Sequence, residues 1–219
     1  MVPLPDDETR TDRVAIVTGG SHGLGREIAL DLAGRGYAVV VNYARDQRAA
    51  DDAVEEVLAA DGTALTVRGD VADELDVQRL FNETTEAFGG VDVVVHAAGR
   101  IVPGRLADCD VDTFDALLRT NVLGTFIVNR QAARDVRKGG AIVNLPAVAA
   151  EGTSTAAVGM ITGALARQLR GRDITVNAVA SGPARPDTIA GVARVVAFLV
   201  STEGHWVNGQ VIAPDDAVA

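Results

Sequence analysis

The sequence predicts one α/β domain, a doubly wound parallel sheet of about seven strands with helices on both faces, in three layers. Three observations predict it. Short apolar runs alternate with amphipathic stretches along nearly all of the 219-residue chain. Hydrophobic residues make up 47% but aromatics only 4%, so the interior is built from Ala, Val, Leu and Ile, as helix-on-sheet layers require. The length suits one α/β core better than two domains.

The elements follow in order. Val14-Ala15-Ile16-Val17-Thr18 is an apolar run closed by Gly19-Gly20, and a periodic stretch from Leu24 to Ala33 ends at Gly34 and Gly36. This reads as strand, glycine turn, helix and C-terminal cap. The alternation recurs with a strand from Ala38 to Val41, a helix from Gln47 to Ala60 and a strand from Ala64 to Val67. A helix from Glu74 to Phe88 and a strand from Val91 to Val95 come next. Such repetition demands parallel strands with right-handed crossovers. Beyond the loop around Arg100 to Arg105 the pattern predicts a long helix from Val111 to Val136 and a strand from Ala141 to Leu145. A helix from Ala156 to Leu169, a strand from Ile174 to Val179, a helix from Ile189 to Val200 and a strand from Gln210 to Ile212 complete it. Residues 13–213 are thus expected to form a single Rossmann-type domain, with a flexible tail at 1–12 and a second tail at 214–219.

A net charge of −10 argues against nucleic acid or an anionic membrane as partner. The single cysteine, Cys109, excludes an internal disulfide and suits a reducing compartment, where it reads as a small structural residue. The acidic, proline-containing start has no apolar run behind a basic cluster, so neither a signal peptide nor a membrane span is expected and the location predicted is cytoplasmic.

The segment Thr18-Gly19-Gly20-Ser21-His22-Gly23-Leu24-Gly25 sits where the first strand meets the first helix, where backbone amides and the helix dipole hold a pyrophosphate. Gly19 lets the chain turn, Gly23 removes a Cβ that would block phosphates, and Gly25 allows the helix to pack closely on the sheet. The strand before and the helix after are the context that this motif requires. Cofactor choice rests on Val41-Asn42-Tyr43-Ala44-Arg45, because an acid at the end of the second strand would hold a ribose 2′-hydroxyl and repel a 2′-phosphate. No acid stands there before Asp46, and Arg45 can pair with a phosphate, so NADP(H) is expected over NAD(H).

From Arg13 to about Ile212 the chain resembles the short-chain dehydrogenase/reductase family. Beside the glycine loop, Gly69-Asp70-Val71 looks like the family's acidic contact to adenine. His96-Ala97-Ala98-Gly99 resembles its Asn-Ala-Ala-Gly motif with the first residue changed. Thr120-Asn121-Val122 matches the helix asparagine of the catalytic proton relay. The segment Ile174 to Gly182 resembles the strand and loop covering the nicotinamide, with Ser181 where proline is usual. His22 stands where NADP enzymes of the family often carry a basic residue. The resemblance thus implies a cofactor site made of Thr18, Gly19, Ser21, His22, Gly23, Leu24, Gly25, Tyr43, Arg45, Asp70, Val71, His96, Ala97, Ala98, Gly99, Ser181 and Gly182.

The catalytic part of the resemblance fails. The family's serine should follow Ile142-Val143-Asn144-Leu145, where Pro146 and Ala147 stand. Counting back from Ile174-Thr175-Val176-Asn177 puts Glu151 at the tyrosine position and Thr155 at the lysine position. The only tyrosines are Tyr37 and Tyr43, and no lysine follows Lys138. After Gly182-Pro183 the helical lid that covers substrate in the family is missing, which leaves an open site.

Two readings remain. In one, Asn121, Glu151, Ser154 or Thr155 supplies polar contacts for an atypical enzyme that runs an unusual reduction or a non-redox reaction on a small carbonyl or hydroxyl metabolite, with Glu151 as the best candidate acid/base. In the other, the chain is an inactive cofactor-binding subunit, and Glu151 merely complements a helix dipole while His96 only fixes its loop. The helices Val111 to Val136 and Ala156 to Leu169 resemble the family's oligomer interface, so a homodimer, a homotetramer or a hetero-oligomer with an active relative is expected in either case.

Overall fold

Each apolar run of the sequence is a strand of one sheet in the computed structural model, which describes residues 13–101, 108–146, 153–180 and 186–213. The strands are β1 (Val14–Thr18), β2 (Ala38–Tyr43), β3 (Thr63–Arg68), β4 (Val91–His96), β5 (Val136–Asn144), β6 (Thr175–Val179) and β7 (Val211–Ile212). They pair in parallel in the order β3-β2-β1-β4-β5-β6-β7. The order reverses between β1 and β4. At that point the crossovers leave on opposite faces, opening a crevice at the C-terminal strand ends where ligands of such sheets bind.

Both faces of the sheet are covered, so the central strands are buried at every position rather than at alternate ones. On one face, Val17, Val41, Val95 and Val143 pack with α1 (Gly23–Gly34), α2 (Gln47–Ala59) and α7 (Pro186–Val200). On the other, Ile16, Val40, Val94 and Ile142 pack with α3 (Glu74–Phe88), α5 (Gly124–Asp135) and α6 (Thr153–Leu169). Some of the helix starts carry side-chain caps: Asp46 accepts from Ala49 N–H at α2, and Asp73 from Leu75 and Asp76 N–H at α3. Among the described residues no helix is long and apolar enough to cross a membrane.

Two stretches depart from the sequence expectation. The helix expected from Val111 to Val136 is broken: α4 (Val111–Leu118) runs into a π-helical turn, Arg119–Leu123, before α5 begins. There Gly124 N–H reaches back to the Arg119 carbonyl, and the extra residue in the turn carries Asn121 into the interior. Asn121 is 3% exposed, and its side chain bonds the backbone of Arg100, a contact distant in sequence that no local pattern encodes. Val136 is likewise not helical. It opens β5, well before the expected Ala141, by pairing with Val91 across a register shift in β4, with Gly139 at φ +79° absorbing the irregularity.

Candidate functional site

At the C-terminal ends of four neighbouring strands, the polar residues Asn42, Thr18, His96 and Asn144 lie side by side across the sheet, Asn42 one residue before the end of β2. They build the floor of the crevice. Asn42 Nδ2 donates to the carbonyls of Val67 and Gly69, which fixes the exit of β3. Thr18 Oγ1 accepts from Ala98 N–H at 3.2 Å and lies 2.8 Å from His96 Nδ1. The hydroxyl has a second lone pair, so which of the two groups donates follows the imidazole tautomer, and the remaining ring nitrogen is Nε2. That nitrogen is buried without a partner among the described residues. Burial pushes the His96 pKa down to about 4, so the ring is neutral at pH 7. Asn144 pairs with Asn129 of α5 and Thr162 of α6.

The glycine turn lies above this floor. Gly19 has φ +65°, and a Cβ there would come within 2.8 Å of the Ala98 backbone, so the turn and the 97–99 strand exit close on each other. Gly23 has φ +50° with nothing within 4 Å of its would-be Cβ, which leaves an open cradle beside the first amides of α1. A Cβ on Gly25 would lie 2.3 Å from the Gly19 carbonyl, so this glycine packs against the turn rather than the sheet. Helix α1 has no side-chain cap and no acid in its first turn. Its free N–H groups and positive dipole end therefore face the cradle uncompensated, the arrangement that binds phosphate. His22 is tied on both sides, to Ser21 Oγ at 2.9 Å and to Asp46 at 3.2 Å.

The crevice has two adjoining lobes. The inner, about 250 Å³, is lined by Gly19, Asn42, Ala44, Arg45, Gly69, Asp70, Val71, Ala98, Gly99, Arg100 and Thr120. The outer, about 500 Å³, shares Ala44, Arg45, Gly69 and Asp70 and adds Arg68, Asp76 and Arg79. Thus Gly19, Arg45, Asp70, Val71, Ala98 and Gly99 of the expected cofactor set line one space. Thr18 and His96 lie beneath it, Leu24 packs on the core, and Ala97 is half-buried at the same strand exit.

Several expectations need correcting or fall outside the structure. Tyr43 does not reach the crevice: it is 5% exposed in the core on the α1 face, because it continues the alternation of Val39 and Val41. Asn121 borders the crevice through the turn it belongs to, but its amide is committed, accepting from Arg100 N–H at 2.8 Å and donating to the Arg100 carbonyl at 2.9 Å. Glu151, Ser181 and Gly182 lie outside the described residues, as does Ala147. Sequence reasoning missed Asn42, Ala44, Gly69, Arg100 and Thr120 as lining residues. The available signal was Asn42, a polar residue closing a run of three valines at the end of a buried strand.

Neither tyrosine is at the crevice. Tyr37 lies at the opposite end of β2, its hydroxyl between Arg13 and the Val200 carbonyl. Lys138 is exposed at the start of β5, also at the far end of the sheet. The Thr155 hydroxyl is buried with no partner among the described residues. No group of three His, Cys, Asp or Glu among the described residues is placed to hold a metal ion.

A family model described as short chain dehydrogenase matches residues 13–194. A short-chain type dehydrogenase/reductase of Picea abies is 36% identical, the match covering 91% of this chain and 90% of the relative. A versicolorin reductase of Emericella nidulans is 32% identical over 255 aligned positions, covering 95% of this chain and 97% of the relative. Among solved structures, a dehydrogenase/reductase from Sinorhizobium meliloti superposes with a TM-score of 0.87 at 30% identity, covering 96% of both chains. A short chain dehydrogenase from Burkholderia cenocepacia, solved in complex with NADP, gives 0.87 at 32% identity, covering 95% of this chain and 99% of its own. Strand order, glycine turn and these matches agree: the chain belongs to the short-chain dehydrogenase/reductase family.

Proposed function

We propose that the protein binds NADP(H) in this crevice and is an atypical enzyme that does not run the tyrosine-dependent oxidoreduction of its family. The observation that carries the reading is the uncapped start of α1 beside an open glycine cradle, continuous with a lobe that holds Arg45 and Asp70. Backbone amides there suit a pyrophosphate, Asp70 and Val71 suit an adenine edge, and Arg45 suits a 2′-phosphate. Asp46 does not compete for the ribose, since one of its oxygens caps α2 and the other meets His22. The Burkholderia cenocepacia relative with NADP and a metagenomic blue fluorescent protein with NADPH, at a TM-score of 0.86 and 28% identity, support the choice of cofactor.

When bound, the nicotinamide supplies hydride-transfer chemistry. What the chain lacks is the proton partner. Both tyrosines are accounted for away from the crevice, and Pro146 has no hydroxyl to orient a carbonyl. The alignment with the versicolorin reductase spans more positions than this chain has residues, so that relative carries segments missing here, in keeping with an absent lid. An open site excludes water poorly and stabilises a developing oxyanion weakly. Glu151, at the position of the family's tyrosine, is the acid/base of the atypical reaction.

A second reading, a cofactor-binding subunit without turnover, is favoured by one observation: both polar atoms of the Asn121 side chain are spent on the Arg100 backbone. The test is NADPH consumption across aldehydes, ketones and quinones, run beside a cofactor titration. Turnover abolished by Glu151→Gln supports the enzyme, and binding without consumption supports the subunit. Ketone reduction at ordinary family rates that survives Glu151→Gln contradicts both.

A further inference from the structure

We infer that Arg68, at the end of β3, is a second cationic arm beside Arg45 and sets the preference for a 2′-phosphorylated nucleotide. The inference rests on the NADP(H) reading above and extends it to a residue on a different strand. Arg45, Arg68 and Arg79 line the outer lobe together with Asp70 and Asp76. The charges in that lobe are not equally available. Arg79 is consumed, pairing with Asp76 at 2.8 Å and Glu83 at 3.3 Å, and it also donates to the Arg68 carbonyl. The two carboxylates are turned to the backbone: Asp76 accepts from Asp70 N–H, and Asp70 accepts from Ala72 N–H. Among the described residues no ion pair holds Arg45 or Arg68.

Two guanidinium groups without an ion-pair partner among the described residues therefore line one cavity, beside Asp70 and the already paired Asp76, in a chain whose net charge is −10. Arg68 is exposed, and its strand neighbour in register is Tyr43, so it stands next to the turn that carries Arg45. Arg79 braces the Arg68 backbone from α3, which holds the strand end in place without using the Arg68 side chain. A 2′-phosphate, with about −1.5 to −2 charge at pH 7, satisfies both free cations, whereas a 2′-hydroxyl satisfies neither.

The experiment compares affinities of 2′,5′-ADP and 5′-AMP, read by displacement of NADPH fluorescence, for the wild-type chain and for Arg68→Gln and Arg45→Gln. Wild-type protein is expected to favour 2′,5′-ADP, and Arg68→Gln is expected to lower that preference about tenfold while leaving 5′-AMP affinity unchanged. Unchanged 5′-AMP binding also shows that the variant is folded. If Arg68→Gln keeps the wild-type preference while Arg45→Gln loses it, Arg68 has no such role although the NADP(H) reading stands. If wild-type protein binds both nucleotides equally, the NADP preference and the Arg68 role fall together. If it binds neither, the cofactor reading itself is wrong.

Discussion

At the scale of single residues, the Thr18–His96 pair is fully buried and mutually bonded. A neutral imidazole sits under the cofactor crevice, with one nitrogen bonded to Thr18 and the other sealed without a partner among the described residues. Its pKa is about 4, against an ordinary value of 6.5, because burial disfavours the charged ring. Between those values the unfolded chain binds a proton that the folded chain refuses, so stability present at neutral pH is lost as the pH falls from about 6.5 towards 4. Complete loss amounts to about 3 kcal/mol. His96→Asn removes this linkage. In urea titrations at pH 7 and pH 4.5 the wild type should lose most of that amount and the variant clearly less, whereas equal losses would show that His96 is not the titrating group. His96 was legible as an unusual residue at a strand end. Its partner was not, because Thr18 lies on another strand and only the parallel register brings the two together. Tyr43 shows the same limit: in a sheet covered on both faces, hydrophobicity does not reveal which way a given side chain points.

At the scale of elements, the strand, turn and helix start of the glycine segment were legible, the packing partner of Gly25 was not, and the π-helical turn was not legible at all. The glycine segment is local, with a strand, a turn and a helix start written in adjoining residues. The π-helical turn exists because Asn121 is drawn inward to Arg100, across 21 positions of sequence. The shift of β5 to Val136 is of the same kind, since it depends on a neighbouring strand's irregular register. Asn121→Ala would leave an N–H and a C=O of Arg100 without their partners, which costs about 1–3 kcal/mol. Denaturant unfolding should register that loss, together with weaker NADPH binding, because Arg100 also lines the inner lobe. If the variant kept both stability and NADPH affinity, the asparagine would have no positioning role.

At the scale of the whole molecule, sheet and crevice follow from the alternation of apolar runs, and the reversal of strand order between β1 and β4 decides where a ligand goes. The convergence of arginines from the turn after β2, from β3 and from α3 on one lobe was invisible in the sequence, because three separate segments make it. On the reading proposed above, this chain keeps the phosphate-binding turn of its family without the tyrosine that moves a proton there. Calorimetric titration with NADPH and NADH, paired with thermal unfolding, tests that account most directly. It predicts saturable heat with NADPH, weaker binding of NADH, and a stability gain of about 2.7 kcal/mol at NADPH one hundredfold above its Kd. No heat and no thermal protection at millimolar concentrations of either nucleotide would contradict it.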